Sequence, residues 1–233
     1  ISVQFYGAIN ELPRYLDESG LTGPYMVTEW GATGHWEVEK TEWDAPIENT
    51  SSVKADLYRS RYEEAIASDT TQVLGSYFFL WGQKQERTPT WYGMFLPTGE
   101  ETESVDVMEY LWTGDWPENR TPRLEAMTLD GRTAFDNVRL DAGQTVSAVV
   151  EARDFEGDAL RYAWEVREES QTEAEGGDDE EVPEMIEGAV SPADAAEVTM
   201  TAPTEPGAYR ASVYVYDGIG HAAHANIPFY VNE

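Results

Sequence analysis

Gly23-Pro24-Tyr25-Met26-Val27-Thr28-Glu29-Trp30-Gly31-Ala32-Thr33-Gly34 is the stretch from which the fold is read. Tyr25 to Thr28 is a short apolar run that stops abruptly at a carboxylate, an indole and a glycine. Pro24 opens the run, where a missing N–H does a strand little harm. Gly31 and Gly34 let the backbone turn at its end. The pattern predicts a buried strand with Glu29 at its C-terminal tip. An ionised carboxylate is costly at such a place unless it faces a polar cleft, so Glu29 is the first candidate functional group.

Working outward, Ile1 to Tyr6 is β-rich and ends in Gly7-Ala8. Ile9, Leu12, Tyr15 and Leu16 fall at helical spacing, with Gly20 as a C-cap, and predict a helix over Ile9–Ser19. On the other side, His35–Asn49 reads as a long charged loop carrying Trp36 and Trp43. Thr50-Ser51-Ser52 can N-cap a helix running to about Ala67. Val73–Trp81 is a second strongly apolar run, again ending at an aromatic tip with Gly82-Gln83 after it. A loop over Gln85–Glu101 holds Trp91 and Tyr92, and Ser104–Trp112 reads as a further short helix. The order β-α-β-α-β-α predicts a parallel sheet covered by helices. Three such units cannot close a barrel, which takes eight strands and ~250 residues. The expectation for residues 1–116 is therefore α/β: the last three βα units of a (β/α)8 TIM barrel. The chain lacks an initiator Met and opens inside a strand, which agrees with a piece of a longer protein.

The 233 residues carry 45 Asp and Glu against 15 Lys and Arg, a formal charge of −30. Nucleic acid and anionic membranes are repelled by such a surface. No cysteine is present, so a disulfide framework, a Cys metal site and a Cys nucleophile are all excluded. No stretch reaches the ~18 apolar residues of a membrane span.

Thr113–Pro122, with two prolines and a glycine, is the best boundary between units. From Arg123 onward lysine vanishes and Trp164 is the one tryptophan. Short alternating runs appear, separated by turn signals such as Asp130-Gly131, Pro206-Gly207 and Asp217-Gly218. Residues 117–233 are thus predicted to be all-β, a sandwich of about a hundred residues. Glu165–Glu187 reads as an acidic insertion and a mobile loop. Asp154, Glu156 and Asp158 offer oxygens to Ca²⁺ or form a polar hairpin turn. His221 and His224 are three apart, which on a strand sends them to opposite faces and argues against a shared metal. Trp164 reads as a core aromatic.

The first segment resembles the C-terminal end of a retaining glycoside hydrolase barrel, of the clan that includes families 2 and 5. There the nucleophile is a Glu at the tip of the seventh strand, within Thr-Glu-aromatic-Gly, and Thr28-Glu29-Trp30-Gly31 matches. A tyrosine of the sixth strand, whose hydroxyl bonds the nucleophile, matches Tyr6. A tryptophan ending the eighth strand, which floors the sugar site, matches Trp81. The resemblance implies a retaining glycosidase with Glu29 as nucleophile, oriented by Tyr6. Carbohydrate would bind on Trp81, Trp30, His35, Trp36, Gln83 and Trp91, with no metal and no cofactor. It places the acid/base Glu on the fourth strand, after an Asn. Asn10-Glu11 falls instead at a helix start, so the proton donor is expected from an upstream part of the same barrel and the stretch alone is expected to be inactive. Other readings stay open on the residues themselves: Glu29 paired with Arg14 or Lys40, Trp81 as a core aromatic, and His35 as a surface group.

The second segment, through Ala152–Trp164 and Gly207–Gly218, resembles the immunoglobulin-like PKD and cadherin-like sandwiches that trail secreted polysaccharide-degrading enzymes. The implied protein is a secreted, cell-surface or periplasmic hydrolase acting on β-glycosidic bonds. Its rivals are a glycan-binding protein without catalysis and an adhesive surface protein relying on Ca²⁺.

Overall fold

A computed structural model describes residues 1–172 and 178–233. Its first unit contains β1 (Ser2–Gln4), α1 (Leu12–Ser19), β2 (Tyr25–Gly31), α2 (Ser51–Arg61), β3 (Val73–Phe79) and α3 (Glu103–Thr113). The three strands run parallel in the order β1-β2-β3. Val3 lies opposite Val27, and a shift in register then sets Gln4 opposite Glu29. α1 has Pro13 in its first turn, where the missing N–H is unneeded, and ends at Gly20 with φ 67°. α2 is N-capped by Thr50, whose hydroxyl accepts from the Val53 N–H at 3.3 Å; it continues as a π turn over Tyr62–Ile66. Ile9, Leu12, Val27, Trp30, Tyr58 and Met108 form the centre of this unit's core.

The predicted partial (β/α)8 barrel is not what the chain forms. Among the described residues there are eleven strands and three α-helices, of eight, eleven and eleven residues. The parallel sheet stops at three strands and does not curl on itself. Irregular chain fills 32–50 and 80–102, where a barrel would repeat strand and covering helix. Alternation of apolar runs establishes strand and helix locally; closure needs an even repeat, and the uneven spacing here denies it. The chain is mixed α and β, with strands predominating.

The second unit is a sandwich of two four-stranded sheets. Its strands are β4 (Arg123–Leu129), β5 (Arg139–Leu140), β6 (Thr145–Arg153), β7 (Arg161–Glu168), β8 (Val190–Ser191), β9 (Glu197–Thr201), β10 (Gly207–Tyr216) and β11 (Ala222–Val231). One sheet has the order β5-β11-β10-β7 and the other β4-β6-β9-β8. β6 and β9 alternate between exposed and buried residues as a half-covered sheet requires. Trp164 is in the core, its indole N–H donating to the Ala195 carbonyl at 2.8 Å. β11 departs from alternation: nine of its ten residues are buried. Ala223, Ala225, Ile227 and Phe229 point into the sandwich, while His224 and Asn226 on the other face meet the first unit.

A buried polar network closes that junction. Asn226 donates to Glu48 Oε2 at 2.6 Å, as does the Thr88 hydroxyl at 2.7 Å. Lys54 Nζ contacts Glu48 Oε1 at 2.5 Å and the Thr90 carbonyl at 2.7 Å. Arg210 on β10 grips Glu169 with two bonds of 2.9 and 2.6 Å, and it donates to the Pro46 carbonyl at 2.9 Å. Burial pushes the Glu48 carboxyl up, but the Lys54 charge, His224 and the hydrogen bonds outweigh it and hold it at about 2. Burial draws Lys54 down against the pull of Glu48; the short contact and the Thr90 carbonyl keep it an ammonium.

The predicted acidic insertion begins later than expected, because Glu165–Glu168 belong to β7. Glu180 is anchored, accepting from the Arg87 N–H at 2.8 Å. Residues 173–177 of that stretch lie outside the described residues.

Candidate functional site

The end of the parallel sheet gathers the groups that the sequence singles out first. Glu29 is the fifth residue of β2, opposite Gln4, the last of β1. The Phe5 N–H donates to the Glu29 carbonyl at 3.0 Å, which continues the ladder and delivers Tyr6 beside the Glu29 side chain. The Tyr6 phenol donates a short hydrogen bond to Glu29 Oε1. The Gln4 amide reaches Oε2 at 3.3 Å, a much weaker hold. Burial, and then the Glu29 carboxylate itself, raise Tyr6 well above the usual phenol range. It therefore remains a protonated donor at any working pH.

Tyr6 is ringed by aromatics from three other segments. Trp36, Phe79 and Tyr92 meet it edge-on with ring centroids at 5.6, 6.0 and 5.9 Å. Trp36 is 58% exposed, so an indole is presented to solvent next to Tyr6. Glu37 Oε2 ties the turns together by accepting from the N–H groups of Gly7 and Gly34, both at 2.8 Å. A Cβ at position 34 would lie 2.6 Å from the Trp36 ring, so any residue but glycine would have to displace that indole. His35 bonds Tyr92 through Nδ1 at 3.0 Å and stands edge-on to Trp36 at 5.0 Å. Burial and the nearby Arg87 lower its pKa, so it is a neutral imidazole at pH 7.

The remaining predicted site residues divide. Trp91 is buried and props the loop from behind, its N–H donating to the Thr33 carbonyl at 2.9 Å. Trp30 is fully buried, packed on Phe78, Tyr62 and Tyr58, and out of reach of any ligand. The parity of β2 explains it: Trp30 follows Glu29 and so takes the opposite face. Trp81 is exposed, but its ring neighbours are Phe95 and Trp112 rather than Tyr6. Gln83 donates to the Pro89 carbonyl at 3.2 Å. The structural alternative for Glu29 does not hold: Arg14 pairs with Glu11 and Glu18, and Lys40 with Asp44. Among the described residues Glu29 has no ion-pair partner.

No family model matches the chain, and no curated protein matches it. Among solved structures it is similar to a nucleoside hydrolase-related hypothetical protein from Saccharophagus degradans associated with carbohydrate metabolism. That likeness has 17% identity and a TM-score of 0.33, and it covers 55% of this chain and 29% of that one. A superoxide reductase (neelaredoxin) from Ignicoccus hospitalis shares 15% identity with a TM-score of 0.21, over 49% of this chain and 82% of that one. The chain thus spans less than a third of the first of these proteins. Likenesses so slight fix neither a fold nor an activity.

Sequence reasoning missed Gln4, Glu37 and the direct role of Tyr92. Gln4 carried a signal, as a polar residue at a strand end two before Tyr6. Glu37 carried none, because it works through backbone N–H groups of two separate turns. For Ca²⁺, Asp154 Oδ1 is occupied by the N–H groups of Glu156, Gly157 and Asp158. No cluster of three or more His, Asp or Glu that could hold a metal occurs among the described residues. His224 lies buried on β11, while His221 lies just ahead of that strand and bonds Asp217 at 2.9 Å.

Proposed function

We propose that Glu29 is the nucleophile of a retaining glycoside hydrolase acting on β-glycosidic bonds of an oligo- or polysaccharide. The observation that carries this reading is a carboxylate with one oxygen held by a phenol and the other nearly free, beside an exposed indole. Oε1, bonded by Tyr6, orients the group; Oε2 is the oxygen able to attack an anomeric carbon. Trp36 offers an apolar face on which the C–H side of a pyranose can lie.

In the first step an Oε2–C1 bond forms while the glycosidic C1–O bond breaks. Retention requires a second carboxyl about 5–5.5 Å away to give its proton to the leaving oxygen. Water then attacks C1, the ester bond breaks, and the second carboxylate takes the water's proton. Tyr6 keeps its own proton throughout, so its bond weakens when Glu29 becomes an ester and strengthens as the carboxylate returns.

Hydrolysis of aryl β-glycosides by the intact protein, with Glu29→Gln as control, tests the reading. A 2-deoxy-2-fluoro glycoside should leave a sugar ester on the peptide that contains Glu29. Unchanged turnover in Glu29→Gln, or sugar binding with no turnover in the intact protein, overturns it.

A further inference from the structure

A polar pocket of about 160 Å³ opens between the two units, and its lining includes none of Glu29, Tyr6 and Trp36. Trp43, Asp44 and Arg87 line it from the first unit, Glu169 and Ser170 from the sandwich side. Arg87 is fixed there by its backbone. Its φ of 61° is left-handed, which is uncommon for a residue with a side chain. Glu180 holds that conformation by accepting from the Arg87 N–H at 2.8 Å, and the Ser170 hydroxyl bonds the same carboxylate. Backbone held in such a region clusters at ligand sites.

The Arg87 guanidinium has no partner among the described residues. Twelve of the fifteen Lys and Arg pair with a carboxylate there. Of the other three, Arg61 donates to the Gly31 carbonyl and the Thr33 hydroxyl, and Arg161 is exposed at the start of β7. Arg87 alone of the three is both half-buried and unbonded through its side chain. Its nitrogens are not among the unpartnered atoms sealed from solvent, unlike the Nε of Arg120, Arg132 and Arg167, so a ligand can reach them. The carboxylates nearby are engaged elsewhere. Glu169 is gripped by Arg210, Asp44 pairs with Lys40 at 3.0 Å, and Glu86 pairs with Lys84 at 2.5 Å. A guanidinium fork matches the two oxygens of a carboxylate. A phosphate, with nearly two negative charges at pH 7, is disfavoured by Asp44 and Glu169 in the same lining. The pocket is smaller than the roughly 300–1,000 Å³ of drug-sized sites, so it holds a single small acid or one acidic residue of a longer chain. Trp43, braced by Tyr230 at 5.7 Å between ring centroids, adds an aromatic face suited to the C–H side of a sugar ring. We propose that this pocket binds a uronic acid, its carboxylate on Arg87 and its ring against Trp43. The assignment rests on those two residues and is independent of Glu29.

The test is nuclear magnetic resonance on the full chain with glucuronate, and with glucose, acetate and phosphate as comparisons, at constant ionic strength. Each is added to about 50 mM, enough to saturate a site with a Kd of about 1 mM. The Arg87 Nε–H and the Trp43 ring signals should shift saturably with glucuronate. Glucose, which lacks the charge, and acetate, which lacks the ring, should each bind at least tenfold more weakly, as should phosphate. Arg87→Gln removes a side chain with no bond to lose and so should fold; read from the Trp43 ring, it should weaken glucuronate binding at least tenfold. Trp43→Leu, read from the Arg87 Nε–H, is the second variant and should also weaken it, while Glu29→Gln leaves it unchanged. No saturable shift with glucuronate, equal affinity in Arg87→Gln, or glucose, acetate or phosphate bound as tightly as glucuronate overturns the proposal, whatever the protein's activity on glycosides.

Discussion

Lys54 Nζ and Glu48 Oε1 are 2.5 Å apart with their side chains 5% and 0% exposed, an ion pair wholly inside the protein. Glu48 also holds Asn226 of the sandwich, so the pair is both the base of the first unit and the seat of the second. Removing one partner leaves the other charged and buried, which costs about 3–5 kcal/mol. Lys54→Met is therefore expected to lose that much in urea unfolding. The double change Glu48→Gln with Lys54→Met should recover most of it, since no lone charge remains. Equal losses in the single and double variants would contradict this account.

Glu48 also gives an acid limit. Its folded pKa of about 2 lies below the ordinary 4.5. Its contribution is complete above pH 4.5 and is lost as pH falls towards 2. Stability measured from pH 5 to pH 2 should drop, and Glu48→Gln should flatten part of that drop.

Asp106 works in the opposite sense. Burial pushes its carboxyl up to about 7, against bonds from the Thr121 N–H and hydroxyl and the charges of His221 and Arg120. Because the folded state prefers the proton, stability should decline as pH rises from about 4 to about 7 and level off above. Asp106→Asn keeps an acceptor for the Thr121 N–H and should remove this slope, as read from thermal midpoints at several pH values.

Tyr6→Phe deletes the bond to Glu29 and leaves the ring among its aromatic neighbours. A hydrogen bond to a charged group is worth about 1.5–3 kcal/mol. If Glu29 reacts as proposed, breakdown of the sugar ester, the step in which this bond strengthens, should slow by up to roughly 10- to 150-fold, and kcat should fall with it where that step limits turnover. A fall in melting temperature with that step unchanged would mean that Tyr6 serves packing alone.

The parts legible in the sequence were those written in local pattern. Tyr25–Thr28 and Val73–Phe79 are strands because apolar runs end at glycines, and Thr50 caps its helix as its hydroxyl allows. The change in character after Pro122 marked the sandwich. Tyr6 beside Glu29 followed from a family pattern. The reading failed where distance in sequence mattered. Nothing local told that the sheet would stop at three strands, and Trp30 was assigned to the ligand although its parity beside Glu29 sends it inward. The Glu48 network joins positions 48, 54, 88, 90 and 226; no spacing rule links them.

β11 belongs to two interiors at once. With one side in the sandwich and the other against α2 and the Glu48 loop, neither body can shed that strand and stay whole. The connection after Trp116 is consequently no swivel, and heat should not melt the halves in sequence: calorimetry is expected to show one peak, and cutting the chain near Pro117 should not yield two separately folded pieces.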